Sequence, residues 1–534
     1  MAAMDTARML RTSATVLAVA GLTLSGCSSG NGRGAAAATT GTGATAGTAA
    51  VTSSSGPSLA PLPSGIPADL QSYYTQKLSW HSCDGPGFQC ATMRVPLDYD
   101  HPVASDDLKL AVSRQRASGH GSRIGSLLLN PGGPGGSAID YLDNVAASYP
   151  APVRARYDLV AVDPRGVARS APVKCLSDTQ MDAYTEVDTT PRTQPEVDAL
   201  SKADNSFGQA CEQHSAKLLG HVSTIDSARD MDVLRALLGD AKLNYVGKSY
   251  GTFLGATYAG LFPSRVGHVV LDGAMDPSLS SLKMAETQAG GFETAFQAFA
   301  KDCVTRADCP MGRSTAAANT YIASFLNRLD AHPLATGQSR TLGQSLGETA
   351  LMEAMYSKEL WPLLRQALSA ANSGDGSQLL ALSDQYYERN ADGTYSNLMA
   401  ANAAVNCLDL PPAATTPAQV KAAMPAFMKE SPRFGDDFAW MSLSCANWPV
   451  KPTGRAERIP ARGAAPILVV GTTRDPATPY AWARSLAGQL TSGRLLTYEG
   501  DGHTAYVNGD DCIDTAVNGY LLQDKLPPEG KRCA

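Results

Sequence analysis

Ser249, Asp475 and His503 are the residues of this chain whose types, order and surroundings could carry covalent catalysis. Ser249 lies in Gly247-Lys248-Ser249-Tyr250-Gly251, a G-x-S-x-G pentapeptide between strand-like Leu243-Asn244-Tyr245-Val246 and a helix-like run from Thr252 to Phe262, before Pro263. A strand–turn–helix context of this kind holds a serine hydroxyl above a sheet, with a helix N-terminus behind it. Glycines on either side let the strand and helix close on each other. In a chain with 49 Gly the pentapeptide alone is a weak signal, and its context gives it weight.

A serine hydroxyl needs a general base, and the base needs a carboxylate that fixes its tautomer. Of the 8 His, only His268, His332 and His503 follow Ser249. His268 abuts the apolar run Val269-Val270-Leu271 and reads as the start of a strand, and His332, in Asp330-Ala331-His332-Pro333, reads as a helix end. His503 sits in the small, polar turn Gly500-Asp501-Gly502-His503-Thr504 after strand-like Leu495 to Tyr498, where it could swing over a sheet edge. The acid is read the same way. Ile467-Leu468-Val469-Val470-Gly471 has the character of a buried parallel strand, and Asp475 lies on the loop leaving it, 28 residues before His503. Asp272, after Val269-Val270-Leu271, is the competing acid, and Asp475 is preferred; Asp501 is too close to His503 in sequence.

Acyl transfer also needs donors for a developing oxyanion. Strand-like Leu127-Leu128-Leu129-Asn130 runs into Pro131-Gly132-Gly133-Pro134-Gly135-Gly136-Ser137, a loop that exposes backbone N–H groups. The expected donors are the N–H groups of Gly133 and of Tyr250. A phosphate loop fits poorly, because no Lys-Ser/Thr follows and the spacing is not G-x-G-x-x-G.

These motifs together resemble a known family. Pro131 to Gly135 is similar to the glycine loop of prolyl aminopeptidases. Asp163-Pro164-Arg165-Gly166 with Ser170, Gly247 to Thr252, Leu271-Asp272-Gly273 and Asp475-Pro476-Ala477-Thr478-Pro479 resemble the secreted tripeptidyl aminopeptidases of actinobacteria, α/β-hydrolase serine peptidases with a characteristic C-terminal segment. The resemblance runs from about Trp80 to the C-terminus. It implies an α/β-hydrolase fold and release of short peptides, often tripeptides, from free N-termini. Two departures stand out. Ala168 replaces a usual Gly, and φ < 0 is expected there. Lys248 precedes the serine, where its charge could bear on substrate preference.

Strand-like runs at 91–95, 108–112, 125–130, 159–163, 244–246, 268–272 and 467–471 alternate with helical stretches, which argues a mostly parallel α/β sheet. The interval between Asp272 and Ile467 is dense in helix formers, as at 291–301, 347–370 and 378–391, and reads as an inserted helical cap. The expected organisation is a signal peptide over 1–26, a tether over 27–66, core over 67–277, cap over 278–430 and core again over 431–534. An aminopeptidase must meet a protonated amine with carboxylates. Asp409 is the candidate, with Glu353 and Glu359 as others, and Thr478 is placed to brace the Asp475 loop.

Arg8 and Arg11 precede an apolar run from Thr15 to Leu24 that is too short to span a bilayer and reads as a signal peptide. It ends in Leu24-Ser25-Gly26-Cys27, similar to a lipobox, so lipidation of Cys27 and an extracytoplasmic, membrane-tethered protein are expected, with release as a possible second fate. The Gly, Ala, Ser and Thr that follow cannot bury enough surface to fold. Without Cys27 the 11 Cys become an even number, and close pairs suggest Cys83–Cys90, Cys303–Cys309 and Cys512–Cys533, with Cys175–Cys211 and Cys407–Cys445 completing the set. No C-x-x-C pair occurs, which speaks against a metal site, and the serine mechanism needs no cofactor. A net charge of −6 without basic clusters gives no support for nucleic-acid binding, which leaves a peptide or protein substrate and the membrane as partners. An ester substrate or an endopeptidase on the same triad is the alternative, and an idle surface binding protein is the reading of another class.

Overall fold

The computed structural model describes residues 58–83, 85, 87–119 and 121–534. The expected signal peptide, Cys27 and most of the expected tether lie outside the described residues. Ten strands form one sheet: β1 (His81–Ser82), β2 (Phe88–Val95), β3 (Leu108–Gln115), β4 (Gly125–Asn130), β5 (Tyr157–Val162), β6 (Leu243–Lys248), β7 (Val266–Asp272), β8 (Ile467–Arg474), β9 (Gly493–Asp501) and β10 (Arg532–Cys533). Their order is β1-β2-β3-β5-β4-β6-β7-β8-β9-β10. β3 is antiparallel to both its neighbours, and everything from β5 to β10 runs parallel. This is the mostly parallel sheet of the α/β-hydrolase fold.

The central strands β4, β5 and β6 are buried at every residue, as parallel strands covered on both faces must be. The pleat divides their side chains between two layers. Leu128, Val160 and Tyr245 pack with the helices Thr224–Leu237 and Tyr250–Leu261 on one face. Leu127, Leu129, Leu159 and Val246 pack on the other with the helices Ala138–Val145 and Asp511–Gln523. The strands expected from sequence are present and mostly extend a few residues further. The two-residue strands β1 and β10 are too short to announce themselves by pattern.

Between β7 and β8 the chain forms a run of helices from Ser281–Cys303 to Gly435–Met441. Their aromatic side chains Phe292, Phe296, Phe299, Trp361, Phe427, Phe434, Phe438 and Trp440 share a separate hydrophobic core. One boundary and one packing partner differ from the sequence expectation. The cap core continues past residue 430 through Phe438, Trp440 and Leu443. Within the insertion, the helix Leu398–Asp409 packs instead on the sheet domain through Ala404, Val405 and Leu408. Hydrophobic periodicity marks a buried helix face but does not say which core receives it.

The expected tether is also shorter than 27–66. From Ser58 onward the chain is docked: Ser58 bridges Arg458, the Leu62 N–H donates to the Leu261 carbonyl at 2.9 Å, and Leu59, Leu62 and Ile66 pack on the core. A few leucines in a polar run are enough to anchor it. All five disulfides suggested by spacing are formed: Cys83–Cys90, Cys175–Cys211, Cys303–Cys309, Cys407–Cys445 and Cys512–Cys533. No described helix is long and apolar enough to cross a membrane.

Candidate active site

β6 ends at Lys248 and the next helix begins at Tyr250, so the whole change of direction falls on Ser249, which takes φ 56° and ψ −127°. The turn closes only because its flanks are bare. A Cβ on Gly247 would lie 2.3 Å from the Gly251 carbonyl oxygen, and one on Gly251 would lie 2.8 Å from Asn130 Oδ1. The Ser249 carbonyl accepts the Thr252 N–H at 2.8 Å and the Thr252 hydroxyl at 2.6 Å. Thr252 Oγ1 in turn accepts the Met275 N–H, fixing the elbow to the chain after β7.

The glycine loop after β4 lies against this elbow. A Cβ on Gly132 would sit 2.9 Å from both Ser249 Cβ and the Tyr250 nitrogen. The Gly132 N–H is taken by Asn130 Oδ1 at 3.0 Å. The N–H groups of Gly133 and Tyr250, by contrast, find no acceptor among the described residues. The motif after β5 buttresses the loop. Asp163 accepts the Ser137 hydroxyl and the Ile139 N–H at the start of the following helix, and the fully buried Arg165 pairs with Asp230 at 2.7 Å.

His503 and Asp475 meet from the loops after β9 and β8. His503 Nδ1 lies 2.9 and 3.0 Å from the two Asp475 oxygens. A carboxylate only accepts, so the proton on this pair sits on Nδ1 and leaves Nε2 as the basic nitrogen. Nε2 is buried and has no partner among the described residues. Asp475 also accepts the N–H groups of Ala477 (3.0 Å), Thr478 (2.8 Å) and Thr504 (3.3 Å), so its loop and the histidine loop are fastened together. Thr478 braces the acid as expected, and its hydroxyl stands 3.4 Å from His503 Nδ1.

The rival acid Asp272 does something else. Completely buried at the end of β7, it accepts the N–H groups of Ala505 (3.0 Å) and Tyr506 (2.9 Å), just past His503. Its carbonyl accepts the Ser249 N–H at 2.9 Å. One residue thus ties the serine elbow to the histidine loop without touching the imidazole. Burial pushes its carboxyl up, and the nearby Lys248 charge pulls it back. Lys248 is held inside the protein rather than presented to substrate: it is buried and its Nζ donates to the Tyr506 carbonyl at 2.8 Å.

Three further expectations are altered. Asp409 is not free for a substrate amine, because it is buried with Oδ1 accepting the Thr224 N–H (2.9 Å) and Oδ2 accepting the Thr224 hydroxyl. Burial raises its carboxyl to about 7 against the pull of those bonds. Glu359 is exposed and bonded to Ser357. Ala168 takes φ 42° rather than φ < 0, in a tight turn whose N–H donates to Asn397 Oδ1 at 2.8 Å.

Sequence reasoning missed Tyr356. It follows the cap helix Gln344–Met355, its carbonyl accepts the His503 N–H at 2.8 Å, and its ring meets the imidazole edge-on at 5.4 Å. No local signal marks it, since 147 positions of chain separate the two residues.

Deeper in the cap, Glu348 and Asp437 are both buried, and each has one oxygen without a partner among the described residues. Burial, and for Glu348 the Asp437 charge, push these carboxyls above the usual range. The folded protein therefore keeps protons that the unfolded chain releases above about pH 4, so this pair makes stability fall as pH rises toward neutrality. Asp437→Asn is expected to flatten that fall by on the order of 1–3 kcal/mol, since a tenfold change in proton affinity is worth about 1.4 kcal/mol. Melting curves of both proteins between about pH 5 and about pH 8 check it; parallel curves would contradict it.

The sheet, elbow, glycine loop and His–Asp pair define an α/β-hydrolase with a serine site. A family profile described as TAP-like protein matches residues 431–533. Serine protease Hip1 of Mycobacterium tuberculosis is 39% identical over 468 residues, covering 84% of this chain and 87% of the relative. Carboxylesterase B of the same species is 36% identical (85% and 90% covered), and tripeptidyl aminopeptidase of Streptomyces lividans is 31% identical (86% of each). The chain belongs to this tripeptidyl aminopeptidase-like family of α/β-hydrolases and is a serine hydrolase.

Proposed function

We propose that the protein is a serine exopeptidase that releases short peptides, tripeptides in particular, from free N-termini through an acyl-enzyme. Ser249 attacks the scissile carbonyl and His503 Nε2 takes its proton. Asp475 holds the imidazole tautomer, and the N–H groups of Gly133 and Tyr250 receive the oxyanion. The observation that carries this reading is His503 held at Nδ1 by Asp475 with its buried Nε2 unpartnered, on the sheet edge that also carries the Ser249 elbow. The leaving amine takes the proton back from His503, and water then attacks the acyl-enzyme by the reverse path.

The similarity to a tripeptidyl aminopeptidase favours the exopeptidase reading. Of the carboxyls expected to meet the amine, Glu353 fits better than Asp409. It lies one helical turn before Tyr356, and burial raises its carboxyl to about 7, so an incoming ammonium would favour its charged form. Similarity to a carboxylesterase supports an ester substrate as the second reading.

A tripeptide amide with a fluorescent leaving group, offered with a free or an acetylated N-terminus beside a short-chain ester, separates these readings. Cleavage of the free peptide alone, weakened in KM by Glu353→Gln, is the expected result. Equal cleavage of both peptides, or activity on the ester only, would replace it with an endopeptidase or an esterase. We further propose, from Leu24-Ser25-Gly26-Cys27 and the polar run after it, that Cys27 is lipidated and holds the enzyme outside the cell membrane. Partition of the wild type into detergent, lost in Cys27→Ala, tests this; equal partition of the two would refute it.

A further inference from the structure

The helix Leu398–Asp409 touches both sides of the proposed oxyanion hole, although it belongs to the insertion between β7 and β8. At its N-terminal end Leu398 packs against the glycine loop: its carbonyl oxygen is 2.6 Å from where a Gly135 Cβ would be, and its Cδ1 is 3.5 Å from where one on Gly133 would be. Asn402 Nδ2 donates to the Pro134 carbonyl at 3.0 Å. The flanking Asn397 donates to the carbonyls of Gly166 (2.8 Å) and Val173 (3.1 Å).

At its C-terminal end the helix presents Asp409. Both carboxylate oxygens accept from Thr224, the first residue of the helix Thr224–Leu237, and Thr224 Oγ1 is hydrogen-bonded to the Tyr250 phenol. When Asp409 is ionised, Thr224 spends its hydroxyl proton on the carboxylate and the phenol is the donor to Thr224. The result is a directed chain, Tyr250 to Thr224 to Asp409, buried throughout. Tyr250 is the residue whose main-chain N–H faces the oxyanion. The Cys407–Cys445 disulfide and the N–H groups of Thr453 and Gly454 on the Leu408 carbonyl hold this end of the helix in place.

From this arrangement we infer that the Leu398–Asp409 helix sets the two oxyanion donors relative to each other, with Asp409 as the positioning residue for the Tyr250 N–H and Asn402 for the Gly133 N–H. The inference rests on the proposed serine mechanism. An oxyanion hole acts through donors fixed in advance, so displacement of one by a fraction of an ångström weakens the transition state and leaves substrate binding alone. Asp409 is too deeply held to meet substrate.

The test uses Asp409→Asn, Tyr250→Phe and Asn402→Ala in the full-length enzyme. Each is expected to lower kcat about 3- to 30-fold with KM changed less than about twofold, short of the 10²–10³ typical for losing a donor outright. The loss should be the same on the free tripeptide amide and on the short-chain ester. Binding of a peptidyl trifluoromethyl ketone, which forms an oxyanion adduct, should weaken by the same factor. Asp409→Asn combined with Tyr250→Phe should cost no more than the worse single variant, because the two act through one chain. Unchanged kcat with a lower melting temperature would make Asp409 merely structural. A loss confined to KM on free-amine substrates would return it to amine recognition. If the wild type takes no fluorophosphonate at Ser249, the serine mechanism itself has failed; if it does and the variants keep wild-type kcat, only this inference has. Tyr250→Phe keeps the inference testable should Asp409→Asn fail to fold.

Discussion

Ser249→Ala is expected to lower kcat by about 10⁵- to 10⁶-fold, with KM close to wild type and no acyl-enzyme burst. The expected size follows from the geometry of the elbow. Ser249 is the only residue between the end of β6 and the start of the next helix, and its φ of 56° is imposed by that junction rather than by the hydroxyl. Alanine keeps the Cβ and therefore the same backbone strain, so the variant folds with a melting temperature close to wild type. Only the Oγ is lost. His503 then has no proton to take, and the glycine loop and Tyr250 N–H can do no more than polarise a carbonyl for bulk water. Single-turnover kinetics and labelling by a fluorophosphonate probe measure the effect. A variant that retained even one-hundredth of wild-type kcat would remove Ser249 from the mechanism.

Asp475→Asn should cost about 10⁴-fold in kcat, the loss known when an amide replaces the triad carboxylate and inverts the imidazole tautomer. The Asp475 oxygens are crowded by donors: His503 Nδ1 and the N–H groups of Ala477, Thr478 and Thr504. An amide nitrogen placed there must face one of them. Asp272→Asn is expected to behave differently. It leaves the imidazole untouched but weakens the seat of Ala505 and Tyr506 and strips the buried Lys248 of its nearby negative charge. Its effect should fall first on stability, with kcat reduced less than about 100-fold, because the tautomer is preserved. Measured side by side at one pH, the two substitutions separate the acid from the brace. A larger kcat loss at Asp272 would reverse the assignment.

How much of the molecule is legible in its sequence depends on the range of each interaction. The elbow can be read from Gly247 to Gly251 because part of its constraint is local: a Cβ on Gly247 collides with Gly251 and Tyr245, a few residues away, although one on Gly251 meets Asn130 of the distant β4. The central strands announce themselves because burial on both faces leaves mostly apolar residues in them. Spacing suggests the disulfide partners, most directly Cys83–Cys90 and Cys303–Cys309, 7 and 6 residues apart, but their connectivity is decided by the structure. Asp475 is preferred to Asp272 by its place after β8, and the bonds to His503 agree. Lys248, Ala168 and Asp409 are less legible. Sequence shows each only as a residue type beside a motif, whereas its setting depends on distant chain: Tyr506 for Lys248, Asn397 for Ala168 and Thr224 for Asp409.

The sequence by itself therefore determined the fold class, the order of the catalytic parts and the glycine loop, because each is written in short-range pattern and steric demand, while the pairing of the cysteines was settled by the structure. Only the tertiary structure decided which acid faces the histidine, that the other binds the elbow to the histidine loop, and that Tyr356 from the cap closes over the imidazole. It also decided that Asp409 is buried with both its oxygens on Thr224. The physical reason is common to all four. A side chain has the same chemistry wherever it stands, and what it does is set by the donors and the solvent around it, which here come from chain tens to hundreds of residues away.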